Sequence, residues 1–434
     1  MKICLIGCGF VGLTTGAVLA HFGHRVHLVD VDKSRIDSIL HCRPPFYEPD
    51  LKEFLSEGMK KGRITASTDV ARGVKDNDYI FICVQTPVKK SGVSNLNYLK
   101  SCTKTVARGL APGKTVVVKS TVPPQTCETM VLPMLEKYSG LKAGKDFGIA
   151  MNPEFLQEGR AVADTITPSR IVVGSDDEGC AKKVMALFAK IKAPRLITDL
   201  TTAEMIKLVS NCFLANKISF ANEIANLCEK IGTDVMPIMN GVGLDPRIGR
   251  QFLNAGLGFG GSCLPKDLSA MISAQRSKGL PANMLRAIRA VNDSQSLRAV
   301  DVLEERLGTL KGKRIAILGL AFKSGVDDVR ETRALPIANE LLARGSIVIG
   351  YDKLAGESFK RLVDGIRLAP SAAKALSGAD GCIIQTDDPE FNRLSKKDFS
   401  AMRTKIVIVG RRPADLERVG SWNVTAWVVG LGFV

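Results

Sequence analysis

The chain has 434 residues, 45% of them hydrophobic and 24% charged, which is the make-up of a globular protein of two or three domains. Its formal charge of +16 suits polyanionic small molecules such as dinucleotides, while the lack of Lys/Arg runs interleaved with aromatics excludes an evident nucleic-acid partner. Its 11 cysteines are odd in number, irregularly spaced and without a CxxC pair, which argues against a disulfide framework or structural zinc, predicts no metal site, and fits a reducing cytoplasm.

Met1–Ile6 reads as a strand, so no signal peptide is expected. Gly7-Cys8-Gly9-Phe10-Val11-Gly12 follows as GxGxxG, then a helix pattern over Leu13–Phe22 and a second strand, Arg25–Val29, ending at Asp30. In this βαβ setting the first glycine serves the tight turn, the second lets backbone approach a pyrophosphate, and the third lets helix and strand pack closely. Asp30 is placed for the adenosine ribose hydroxyls, which favours NAD over NADP, with Arg35 nearby weakening that preference. Gly7, Gly9, Val11, Gly12, Asp30 and Arg35 are thus the first cofactor candidates. All four histidines (His21, His24, His27 and His41) lie in this opening unit, so lysine, carboxylate or thiol chemistry is the more natural expectation elsewhere.

Three further β runs end in polar residues and a proline turn: Tyr79–Val84 before Gln85-Thr86-Pro87, Thr115–Lys119 before Ser120-Thr121-Val122-Pro123, and Phe147–Met151 before Asn152-Pro153-Glu154. Ligands of a doubly wound sheet bind beyond the carboxyl ends of its strands, so Thr86, Thr121 and Glu154 point to one crevice. Glu154 and Glu158 are four apart, which a plain helix face would also explain.

Thr202 to Ile231 reads as one long helix, with Ile206, Val209, Phe213, Phe220, Ile224, Leu227 and Ile231 at helical spacing, Thr202 as its cap and Gly232 as its stop. Lys207 and Asn211 share a face of it; simple solvent exposure is the bland alternative. The helix suits a domain bridge or dimer seam. Next comes Gly260-Gly261-Ser262-Cys263-Leu264-Pro265-Lys266-Asp267, a thiol after a flexible turn with a cation and a carboxylate close behind. A thiolate is a strong nucleophile, and a nearby ammonium or helix N-terminus favours it. Cys212, on the long helix, reads as core.

Helix continues to about Leu307, Leu310–Lys313 looks like a linker, and the opening layout then repeats. Arg314–Leu318 is a strand, Gly319–Lys323 a turn, Arg333–Ala343 a helix and Ser346–Gly350 a strand before Tyr351-Asp352, with Asp352 echoing Asp30. The fingerprint is degenerate here, so Lys323 and Arg330 suit a nucleotide diphosphate better than a second dinucleotide. Gly381–Gln385 and Lys405–Val409 extend this domain, and Arg411 and Arg412 follow its last strand. The apolar tail from Val424 is too short to span a bilayer, so no membrane contact is expected. The predicted class is α/β, two Rossmann-like doubly wound domains joined by a long central helix: 1–200 binding NAD, 201–308 helical and carrying the cysteine, and 309–434 suited to a nucleotide diphosphate.

These motifs taken in order resemble the UDP-glucose/GDP-mannose dehydrogenase family over essentially the whole length: GCGFVG at the start, KSTVPP at 119–124, NPEFLQEG at 152–159, AEMIKLVSN at 203–211, GFGGSCLPKD at 258–267 and GLAFKSGVDDVRET at 319–332. The resemblance implies that a primary alcohol of a nucleotide sugar is oxidised twice by NAD without release of the aldehyde. It implies Cys263 as the nucleophile of a thiohemiacetal and then a thioester, and Lys207 and Asn211 as oxyanion donors. Asp267 and Glu154 would serve the proton and water steps with Thr121, the order of the two carboxylates staying open. It places Val11, Asp30, Thr86, Thr121, Glu158, Lys266 and Arg330 toward NAD. Glu154, Phe155, Leu156 and Glu158, with Phe252, Leu253, Asn254, Gly256, Gly260, Lys323 and Arg411, fall toward the sugar nucleotide. Arg247 would reach a neighbouring subunit's site, which implies a homodimer. Asp245-Pro246-Arg247-Ile248-Gly249 before Phe252-Leu253-Asn254 is closer to the glucose branch, with GDP-mannose as the alternative.

Overall fold

The computed structural model describes residues 1–89, 91–412 and 417–434, apart from the side chain of Arg418. The chain packs as two compact units, one of residues 1–210 and 269–278, the other of 211–268 and 279–434.

The first unit is built on an eight-stranded sheet: β1 (Lys2–Ile6), β2 (Arg25–Val29), β3 (Ile64–Ser67), β4 (Tyr79–Ile82), β5 (Thr115–Val118), β6 (Gly148–Met151), β7 (Ile171–Gly174) and β8 (Arg195–Thr198). Its order is β3-β2-β1-β4-β5-β6-β7-β8, parallel except where β6 meets β7. The strands read as near-continuous apolar runs because helices cover both faces. Ile3 and Leu5 pack into one buried cluster, and Cys4 and Ile6 into another on the opposite face. The order reverses between β1 and β4, so the loops after β1, β4 and β5 open at a topological switch point. Helix α1 (Phe10–His21) begins three residues before the predicted Leu13, because Gly9 already takes the extended N-cap conformation.

The second unit repeats the plan with β9 (Arg314–Leu318), β10 (Ile347–Tyr351), β11 (Arg367–Leu368), β12 (Gly381–Ile384), β13 (Ile406–Val409), β14 (Thr425–Val428) and β15 (Gly432–Phe433). The order is β11-β10-β9-β12-β13-β14-β15, parallel except for the last pair. The expected echo is physical. Asp30 accepts from the Cys8 N–H after β1, and Asp352 accepts from the Leu320 and Ala321 N–H groups after β9. Leu310, placed in a linker by the sequence, is fully buried.

The long helix, α2, spans Leu200–Ile231 and runs from the first unit into the second. Its cap is Asp199 rather than Thr202: Asp199 accepts from the Thr202 N–H and hydroxyl, a carboxylate being the better acceptor for the open first turn. Its inward face carries small residues, Ala203, Ala215, Ala221 and Ala225, which allow close packing. The large apolar side chains at Val209, Phe213, Phe220, Leu227 and Ile231 stay exposed, the opposite of what periodicity alone suggests. Two more helices complete the region, α3 (Leu264–Ser277) and α4 (Asn283–Leu307).

Candidate active site

The first unit places its candidates on the loops at the switch point. Gly7 has φ +100°, and a β-carbon there would sit 2.7 Å from the Cys83 carbonyl oxygen, so the turn after β1 requires glycine. A β-carbon on Gly9 would meet nothing within 4 Å, and no side chain caps the start of α1. The helix therefore presents open backbone and its positive dipole end, a fit for a pyrophosphate. Asp30 is buried; its Oδ2 accepts from Cys8 N at 2.8 Å and from Arg35 Nη1 at 2.9 Å. These residues fit the adenosine half of NAD, with Arg35 already bound to the carboxylate that would meet the ribose. Val11 is half-buried on the first turn of α1. The Thr86 hydroxyl donates to the Thr121 carbonyl at 2.6 Å, tying the loops after β4 and β5 together.

Beyond β5 and β6 lies a buried polar group. Lys207 Nζ pairs with Glu154 Oε1 at 2.9 Å, with side chains only 3% and 6% exposed. Glu154 Oε2 accepts from the Leu156 N–H at 2.7 Å, and Lys119 Nζ donates to Asn152 Oδ1 at 3.0 Å. Burial alone would push the Glu154 carboxyl up. The Lys207 charge and hydrogen bond, the Leu156 N–H and the Lys119 charge outweigh it and hold the group below the ordinary carboxylate range. Burial pulls the Lys119 ammonium down, against the opposing charges of Cys83 and Glu154. The Phe155 ring is stacked by Arg170 at 3.7 Å and lies 5.6 Å from Lys207 Nζ. Residues 152–158 form a loop, so Glu154 and Glu158 do not share a helix face, and Lys207 is not a solvent lysine.

The second unit holds the cysteine. Cys263 is partly exposed, and its carbonyl accepts the Asp267 N–H at 2.9 Å, so it stands at the N-terminus of α3. Asp267, 1% exposed, accepts from Asn211 Nδ2 at 2.6 Å and from Lys266 Nζ at 2.5 Å. Cys212 is core as expected; burial and then the Asp267 charge push its thiol up to about 12, which leaves it unsuited as a nucleophile. The sugar-loop candidates have distinct settings. Phe252 adopts φ +65°, a strained conformation for an aromatic residue, while Leu253 is buried and Asn254 exposed. Gly256 lies against Gly410 and Arg411, and Gly260 against the Glu331 backbone. Lys323 Nζ sits 5.7 Å over the Phe322 ring. Arg330 binds Asp328, and Arg247 binds Asp245 while 86% exposed. Of the cofactor candidates, Lys266 and Arg330 belong to this second unit and the rest to the first.

Sequence reasoning did not single out Lys119, Asn152, Glu48 or Glu204. Glu48 accepts from Gly159 N at 2.8 Å, steadying the loop that follows Glu154 and Glu158. The available signal was polarity inside apolar runs, as with Lys119 directly after a four-residue valine-rich strand.

Residues 1–192 match the NAD binding domain of the UDP-glucose/GDP-mannose dehydrogenase family, 201–294 its central domain and 316–415 its UDP binding domain. The chain belongs to that family. UDP-glucose 6-dehydrogenase AglM of Haloferax volcanii is 42% identical over 420 residues, covering 95% of this chain and 97% of its own. UDP-glucose 6-dehydrogenase TuaD of Bacillus subtilis is 39% identical, covering 96% of this chain and 90% of its own. The structure of a UDP-glucose dehydrogenase from Pyrobaculum islandicum superposes with a TM-score of 0.92 at 38% identity, covering 100% of this chain and 98% of that one. The expected α/β class and the family resemblance are both borne out. Among the described residues no helix is long and apolar enough to cross a membrane.

Proposed function

We propose that the protein oxidises C6 of UDP-glucose from alcohol to carboxylate in two NAD-dependent steps through a covalent intermediate on Cys263. The observation that carries this reading is a partly exposed Cys263 at the start of α3, one turn from a buried Asp267 held by Asn211 and Lys266. NAD, bound once for each step, supplies the hydride acceptor.

In the first step the C6 hydroxyl loses its proton as C6 loses hydride, leaving an aldehyde. An aldehyde has no electron pair to expel a second hydride until a nucleophile adds. Cys263 Sγ bonds to the carbonyl carbon, and the displaced π pair settles on oxygen, where Lys207 and Asn211 supply donors. The second hydride then leaves C6 and gives a thioester. Water adds to it, the C–S bond breaks, and the thiol regains its proton. Glu154 and Asp267 serve the proton and water steps, Thr121 helping to hold the water; the Lys207 pairing keeps Glu154 ionised at neutral pH. One UDP-glucose, two NAD⁺ and one water give UDP-glucuronate, two NADH and three protons.

The functional division is 1–200 for NAD, 201–308 for the nucleophile and subunit pairing, and 309–434 for the nucleotide sugar. Gly7, Gly9, Val11, Gly12, Asp30, Arg35, Thr86, Glu158, Lys266 and Arg330 serve the cofactor. Phe155, Leu156, Phe252, Leu253, Asn254, Gly256, Gly260, Lys323 and Arg411 serve the sugar nucleotide. A homodimer completes the reading, with Arg247 reaching the partner's site. The exposed apolar row Phe213, Phe220, Leu227 and Ile231 on α2 supports it, since such a stripe in water favours a second copy. Parallel assays of UDP-glucose and GDP-mannose by NADH absorbance test the substrate: faster turnover of UDP-glucose is expected, and preference for GDP-mannose would overturn the assignment.

A further inference from the structure

The loop that carries Cys263 is gripped by side-chain amides to which the reaction assigns no role. Asn292, on α4 and 3% exposed, accepts the Phe259 N–H on Oδ1 at 2.7 Å and donates from Nδ2 to the Phe259 carbonyl at 3.1 Å. Both main-chain groups of one residue are thereby bound to a single rigid amide plane. On one side of this clamp, Gly256 N donates to Oδ1 of the fully buried Asn222 at 2.7 Å. On the other side, Gly261 N donates to the Arg330 carbonyl at 3.0 Å. Asn292 also presses on the turn itself: Gly258 has φ +104°, and a β-carbon there would lie 2.8 Å from Asn292 Oδ1. Asparagine is a poor helix former and costly to bury, so its place in the middle of α4 is accounted for by these bonds rather than by the helix.

We propose that Asn292 is a positioning residue for the nucleophile, its two bonds to Phe259 fixing the path of the Gly258–Ser262 turn and so the direction of the Cys263 sulfur. The inference rests on the Cys263 reading above. It has a signature that general destabilisation lacks. The first oxidation needs no thiol, and the second does. A loosened turn therefore slows the second hydride transfer selectively and lets aldehyde escape. A misplacement of about 1 Å can cost ~100-fold in rate.

The test is rapid-mixing NADH formation by the full-length wild type, Asn292→Ala and Asn292→Asp, with UDP-glucose, NAD and hydroxylamine as an aldehyde trap. For Asn292→Ala the expected result is a first phase close to wild type, a second phase slower by on the order of tenfold or more, and trapped aldehyde. Asn292→Asp keeps the acceptor for Phe259 N but turns an oxygen toward the Phe259 carbonyl, and should show the same selective loss of the second phase. It also carries the test if Asn292→Ala does not fold. Equal slowing of both phases without trapped aldehyde, or two unchanged phases, would overturn the proposal. The Cys263 reading fails separately, if Cys263→Ala still makes the acid at the wild-type rate.

Discussion

Replacing Lys207 by Met removes the ammonium 2.9 Å from Glu154 and keeps most of the apolar stem. Glu154 then keeps the Leu156 N–H and the field of Lys119 against its burial. Breaking a buried pair from one side costs about 3–5 kcal/mol, because the other charge is left uncompensated. The loss has a pH signature. In the wild type the Glu154 carboxyl is held below its ordinary 4.5, so its contribution is present above that value and lost as pH falls through the lower folded one. In the variant, burial meets less opposition and the carboxyl moves up from its wild-type position, so its stabilising contribution above 4.5 shrinks. The gap between the two proteins must therefore widen from acid to neutral pH. Urea unfolding from about pH 4 to about pH 8 reads it directly. Adding Glu154→Gln to the variant should recover most of the loss at neutral pH. A gap that is constant with pH, or two substitutions that simply add, would refute the reasoning.

Glu204, 1% exposed, accepts the Cys127 N–H at 2.7 Å through Oε1, while Oε2 has no hydrogen-bond partner among the described residues. Burial pushes its carboxyl up to about 7, against the hydrogen bond from Cys127 and with some help from the Glu128 charge. The folded value lies above the ordinary 4.5, so stability is full below that pH and is lost as pH rises toward 7, by roughly 3 kcal/mol at about 1.4 kcal/mol per pH unit. Glu204→Gln keeps an acceptor and cannot ionise; its unfolding free energy should stay flat where the wild type declines, and parallel curves would contradict this. Phe220→Asp puts a charge in the exposed apolar row of α2 and should shift sedimentation from dimer to monomer, with the melting temperature falling and losing its dependence on protein concentration. A monomeric wild type would contradict the homodimer.

Much of the fold was legible because strand and turn signals are local. Arg25–Val29 and Arg314–Leu318 fall where their apolar runs and a flanking glycine, Gly23 before the first and Gly319 after the second, put them. Strands β4 and β5 end at Ile82 and Val118, before the predicted Val84 and Lys119: the Lys119 N–H still donates to the Ile82 carbonyl, but the Val84 carbonyl is taken by the Ser120 hydroxyl instead of a neighbouring strand. The apolar stripe of α2 misled for a different reason. Periodicity identifies a face but not what it meets, and here alanines face inward while phenylalanines face out. Thiol, carboxylates and glycine turns were readable because their chemistry is written in residue type. Asn222, Asn292 and Lys119 were not, because a buried amide or ammonium gains meaning only from distant backbone and side chains that folding brings to it.

The central claim is a covalent bond between Cys263 and C6 of the substrate. Mass spectrometry of enzyme quenched during turnover with UDP-glucose and NAD tests it most directly. The account predicts a sugar-nucleotide adduct on the peptide containing Cys263, absent from Cys263→Ala, alongside two NADH per UDP-glucose consumed. Two NADH per sugar with no adduct, and the same yield at full rate from Cys263→Ala, would contradict it.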